Sequence, residues 1–169
     1  MDEGTVAVEP ARVDPASWSS PRCSLAAALD VVGTRSALLI LRAAHYGTRR
    51  FDDFTCRVGI TDTMAAARLR ELTGAGLLRR EPYREPGQRT RYEYVLTPMG
   101  RDLYPALLGL LQWGDKYLAG PAGPPLRMRH AGCGQPVQVH VTCAAGHDVP
   151  LDDVTVTAPP LPGMPGEPA

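Results

Sequence analysis

Apolar positions recur at helical spacing through most of this chain and switch to alternation near its end. Leu25, Ala28, Leu29 and Val32 fall on one stripe that Gly33 closes, which predicts a first helix within "CSLAAALDVVG". A second helix is predicted in "TRSALLILRAAHYG", where the consecutive Leu38, Leu39, Ile40 and Leu41 imply burial on most sides and Gly47 an end. "FDDFTCRVG" predicts a short third helix, with Cys56 in the core. After Gly59, Thr61 has the side chain to cap a fourth helix over 62–73, and Asp62 places a negative charge at its positive end. Two alternating runs, Leu77 to Tyr83 and Arg91 to Leu96, flank a loop bearing Pro and Gly and predict a hairpin. "PMGRDLYPALLGLLQWGDKYL" follows as a helical stretch in which Pro105 marks either a kink or a helix start.

Composition divides the 169 residues into parts. Residues 1–21 are polar, carry proline and lack a period, which predicts a disordered arm. Residues 22–118 form the periodic main domain, and "AGPAGPP" at 119–125 reads as a linker. Alternation in "VQVHV" and "VTVT" predicts a small β-rich module over 126–157, and 158–169 reads as a disordered tail. The fold class is therefore mainly α with a small β-wing, a winged helix-turn-helix carrying a small C-terminal, zinc-ribbon-like extension. With no apolar run of about 20 residues and an acidic, polar N-terminus, a soluble cytoplasmic protein with no membrane partner is expected.

A short helix, a glycine turn and a second helix opening on small polar residues match a helix-turn-helix, whose second helix enters the major groove by its N-terminal end. Thr61, Thr63, Ala65, Ala66 and Ala67 would allow close approach to base edges, and Arg68 or Arg70 would reach phosphate or guanine. The same alanines serve equally as ordinary packing residues. The hairpin next in sequence has Arg84, Gln88 and Arg89 in its loop and Arg91 beyond it, as a wing on the minor groove or backbone requires. Charge supports this: the chain is neutral overall, yet residues 35–101 hold thirteen arginines against seven acids. A solvated arginine-rich surface is the other reading of that count. Arg35, Arg49 and Arg50 complete the candidate DNA-facing set.

"CSLAAALDVVGTRSALLILRAAHYGTRRFDDF", "GITDTMAAARLRELTGAGLLRREPY" and "RYEYVLTPMGRDLYPALLGLLQWGDKY" together resemble the HxlR-type winged helix-turn-helix transcriptional regulators, relatives of the MarR group, over residues 22–118. The resemblance implies a homodimer on a palindromic or near-palindromic operator, with a small-molecule effector or a thiol-reactive signal as its input. The chain departs from the family pattern at two helix starts. Arg35-Ser36 stands where a Lys-Trp pair is usual, and Thr61-Asp62-Thr63 where Ser-Pro-Lys is common, so no operator sequence carries over. Cys23 matches a family cysteine that in some members responds to oxidants, and Arg22 beside it would favour the thiolate. A dimer is also expected from the residues themselves: Leu103, Leu107, Leu108, Leu110, Leu111, Trp113 and Leu118 are too broad a set for one core-facing stripe.

The C-terminal module holds His130, Cys133, Cys143 and His147 as two chelating pairs, the donor number and type that Zn2+ takes in a tetrahedral site. About thirty residues have little core of their own, and a metal would supply what packing cannot. Family members with such extensions tend to have cysteine where this chain has Gly146, so His147 would have to substitute; a metal-free ribbon docked on the winged helix is the alternative. No paired carboxylates, nucleophile motif or phosphate loop points to catalysis, and His45 reads as a helix C-terminal residue. Two function classes remain, a double-stranded-DNA-binding regulator and a protein-interaction or metal-binding module that keeps the winged fold without using it on DNA.

Overall fold

The three middle helices each start where an extended residue hands its backbone to the first turn, and two of those residues are threonines. Thr34 accepts a hydrogen bond from the Ala37 amide at 3.2 Å to open α2 (Arg35–His45), and Thr61 accepts from Met64 at 3.3 Å to open α4 (Asp62–Gly74). This is a computed structural model, in which residues 7–8 and 23–157 are described. The remaining elements of the main body are α1 (Ser24–Val32), α3 (Phe51–Val58), the antiparallel pair β2 (Leu78–Tyr83) and β3 (Arg91–Leu96), α5 (Pro98–Asp102) and α6 (Tyr104–Tyr117). α1 and α2 meet at a bend of 80°. No single helix among the described residues is long and apolar enough to cross a membrane.

The core is built from the middle helices and the base of the hairpin. Ile40 and Leu41 of α2, Phe54 and Val58 of α3, Leu69 and Leu72 of α4, and Leu77 and Leu78 at the start of β2 are buried together. The Phe54 ring meets Tyr94 of β3 edge to face at 6.2 Å. Gly59 closes α3 in the left-handed region at φ 68°, which permits the sharp turn into α4. Thr97 joins hairpin to helix: its hydroxyl donates to the Gly76 carbonyl at 2.6 Å and accepts from the Gly100 amide at 3.1 Å. Gly100 sits so close to the Leu77 carbonyl that a Cβ there would overlap it.

One expectation about the helices is corrected, and two are made more definite. Cys56 is exposed: Phe54 and Val58 occupy the inward stripe of α3, and position 56 falls on the opposite face. The stripe of α1 is not covered within the chain, for only Val32 is buried while Leu25 and Leu29 remain 68% and 53% exposed. Pro105 starts a helix and kinks none, since it lies in the first turn of α6 after the short α5.

The 126–157 segment is neither one module nor β-rich. The described residues divide into a body spanning 25–139 and a second that holds 7–8, 23–24 and 140–157. In the first, residues 128–137 form a small loop-back with an isolated bridge between Arg129 and Pro136, tied to α6 by Gln112. Gln112 Nε2 donates to the Val137 carbonyl at 2.7 Å and Oε1 accepts from the Val139 amide at 3.0 Å. Tyr104 Oη donates to Met128 Sδ at 3.3 Å. In the second body, Thr142 and Asp148 form another isolated bridge, a 3-10 turn covers Leu151–Asp153, and β4 (Thr155–Val156) pairs in parallel with β1 (Ala7–Val8). That pairing puts a short strand inside the arm expected to be disordered; the rest of 1–21 and the 158–169 tail lie outside the described residues.

Candidate nucleic-acid interface

α4 divides its residues between core and solvent as a groove-reading helix must. Ala65, Leu69 and Leu72 are buried, Ala66 and Ala67 partly so, and Thr61, Thr63 and Arg70 are exposed. Arg68 reaches forward along the helix to pair with Glu71, which leaves Arg70 as the helix cation without an ion-pair partner among the described residues. Asp62 in the first turn suits the helix dipole but puts a carboxylate near any approaching phosphate.

The hairpin projects beyond the core as a two-stranded wing. Its register sets Leu78 opposite Leu96 at the buried base and Tyr83 opposite Arg91 at the far end, with residues 84–90 as the loop. Arg84 Nε donates to the Gln88 carbonyl at 3.1 Å and so braces the loop across Gly87, whose φ is 76°. Gln88, Arg89 and Arg91 are exposed, and neither Arg89 nor Arg91 has an ion-pair partner among the described residues. On the strands, the Arg80 guanidinium lies 4.1 Å from the centre of the Tyr92 ring.

Arg49 and Arg50 sit where α3 meets the wing, and both are engaged. The Arg49 carbonyl accepts from the Tyr94 amide at 2.8 Å, while its guanidinium pairs with Glu93 at 3.2 Å. Arg50 pairs with Glu85 at 2.8 Å and stacks over Tyr83 at 4.8 Å; the Glu85 hydrogen bond holds its pKa above the usual arginine value. Sequence reasoning placed these arginines among the DNA contacts and missed both carboxylates. Arg35 is exposed at the first turn of α2.

Outside this face, the sequence-proposed metal ligands are not brought together as a set. His130 Nδ1 lies 3.1 Å from Cys133 Sγ, so these two groups satisfy each other within one turn. Cys143 and His147 belong to the other body, where the amides of His147, Ala145 and Gly146 face the Cys143 sulfur and hold its thiol below the ordinary value. Among the described residues no group of three or more His, Cys, Asp or Glu is gathered as a metal site, and the zinc-ribbon expectation is not supported. A turn that lacks a second cysteine at Gly146 has one strong donor fewer to organise it. His45, by contrast, lies in the last turn of α2 with Nδ1 2.8 Å from the Leu41 carbonyl, as its position implied. Cys23 is partly buried just before α1.

A family model described as HxlR-like helix-turn-helix matches residues 31–121, which span α2 to α6 and include both α4 and the wing. The chain belongs to the HxlR-like helix-turn-helix family. An uncharacterised helix-turn-helix-type transcriptional regulator of Mycobacterium tuberculosis is 42% identical over 133 residues, 78% of this chain and 83% of that one. A Bacillus subtilis regulator, YdeP, is 33% identical over 106 residues, covering 62% of this chain and 81% of its own. Among solved structures, the candidate transcription factor PA1607 superposes with a TM-score of 0.72 at 34% identity, over 83% of this chain and 98% of that one. The redox regulator HypR in its oxidised form gives 0.51 at 33% identity, over 56% of this chain and 96% of its own. As an HxlR-like protein the chain is a transcriptional regulator with a DNA-binding helix-turn-helix fold.

Proposed function

We propose that this HxlR-like protein is a cytoplasmic homodimeric repressor that reads a near-palindromic operator. The α4 helices of the two subunits enter successive major grooves about one helical turn apart, and the wings follow the flanking backbone. The observation that carries the proposal is the pairing, on one body, of an α4 whose Thr63 and Arg70 are exposed with a wing whose Arg89 and Arg91 have no carboxylate partner among the described residues. Phosphate contacts from the wing fix register, and groups at the start of α4 read base edges.

Dimerisation is supported by apolar surface that the single chain leaves open. Leu110, Trp113 and Tyr117 recur at helical spacing on the outer side of α6, and Leu118 beyond it is 70% exposed. A second copy of the same helices would bury them in a two-fold interface. An effector has room in the open groove of about 600 Å3 between α6 and residues 124–139, lined in part by Leu111, Asp115, Met128 and Val137. A thiol-reactive input through Cys23 is in keeping with the resemblance to the redox regulator HypR.

Genome-wide mapping of bound sites followed by footprinting tests this reading. It should return sites with two protected half-sites about 10 base pairs apart, related by a dyad. Bound sites without two-fold symmetry, or no enrichment of any site, would overturn it.

A further inference from the structure

The wing carries three carboxylates, and each one holds an arginine. Glu81 pairs with Arg79 on its own strand, Glu85 with Arg50 at 2.8 Å, and Glu93 with Arg49 at 3.2 Å. The last two pairs differ from the first in what they join. Arg49 and Arg50 enter α3, whereas Glu85 opens the wing loop and Glu93 stands on β3, so both pairs cross from the helix-turn-helix to the wing. The side chains involved are roughly half-exposed, apart from the better-covered Glu93.

An exposed ion pair of this kind is weak, so its guanidinium exchanges readily between partners. A phosphate brought within the Debye length, about 8–10 Å, competes directly with the carboxylate. The two outcomes are not equivalent for the protein. When an arginine turns to phosphate, its carboxylate is left unpaired beside a second anion, and part of the gain is lost to repulsion.

We propose that Glu85 and Glu93 are affinity-setting residues of the interface: they hold Arg49 and Arg50 off the phosphate backbone and thereby keep sequence-independent binding weak. Arg70, Arg89 and Arg91 supply the standing attraction, because none of them has an ion-pair partner among the described residues. Arg49 and Arg50 are a reserve that engages only when a duplex is held closely enough to displace the acids. The Tyr83 ring under Arg50 and the Tyr94 amide on the Arg49 carbonyl keep both residues positioned whether or not the carboxylates are engaged. This inference rests on the DNA-binding reading given above, and it assigns to two acids a role that a list of basic residues misses.

The test is fluorescence anisotropy of a random-sequence duplex with the full-length wild type, Glu85→Gln, Glu93→Gln, the double variant, and Glu81→Gln as a charge-matched control. Salt is varied, and thermal melting is followed alongside. The double variant should bind about tenfold tighter at low salt, with a log–log salt slope steeper by up to about 2, because each newly engaged phosphate adds about 0.9. Each single variant should show part of this, and Glu81→Gln markedly less, since Arg79 and Glu81 lie on one strand. Wild-type binding with no tightening in the glutamine variants, or an equal gain in Glu81→Gln, overturns the inference and leaves the DNA-binding reading intact. If the double variant melts early, the single variants decide in the same way. Failure of wild type and every variant to bind duplex in dilute buffer sinks the DNA-binding reading itself.

Discussion

α4 and α6 are both rich in apolar residues, yet they spend them differently. In α4, Ala65, Leu69 and Leu72 are buried within the chain and, Met64 apart, the large outward side chains are polar, so the helix leaves little apolar surface to cover. In α6 only Leu108 is buried; Leu110, Trp113 and Tyr117 form a second stripe with no cover, and Leu25 and Leu29 of α1 behave alike. A helix that is complete in one chain is free to present its other face to DNA, whereas a helix with surplus apolar surface is suited to another subunit. The winged centre is thus a self-sufficient core, and in the proposed dimer the flanking helices would supply the interface.

The largest effect that would sharpen this contrast lies at Phe54, which is fully buried where α3 meets the hairpin. Phe54→Ala should cost about 3–5 kcal/mol in a chemical-denaturation measurement and abolish DNA binding with it. A loss below about 1 kcal/mol would mean that the centre is not the core described. Next in size is the joint change Leu29→Glu and Leu110→Glu, at positions already exposed in the single chain. It should leave the far-ultraviolet circular dichroism unchanged and halve the mass measured by analytical ultracentrifugation. An unaltered dimer would place the interface elsewhere, and a collapsed spectrum would show that these residues belong to the core after all.

Local signals were the most legible in the sequence. Thr34 and Thr61 cap their helices and Gly59 turns the chain, because a cap or a positive φ is decided by a few neighbouring residues. The hairpin and its loop were likewise read to within a residue at each end. What depended on distant partners was read less well. Cys56 was placed inside because apolar residues flank it, although the inward stripe of so short a helix is taken by Phe51, Phe54 and Val58. Valine alternation at 126–157 predicted strands, but a strand needs a neighbour to pair with, and only isolated bridges and the two-residue β4 form. At the interface, the exposed Thr63, Arg70, Arg89 and Arg91 were all named from sequence. The engagement of Arg49 and Arg50 was not, because their acids lie more than thirty residues away in the chain.

In the proposed complex the exposed cations of the wing and α4 face a DNA backbone, and the salt dependence of duplex binding tests this most directly. Wild type should bind a duplex with an affinity that falls steeply as salt rises, and Arg89→Ala with Arg91→Ala should weaken binding on all sequences alike while flattening the slope by up to about 2. An unchanged affinity and slope in that double variant would contradict the placement of the wing on DNA.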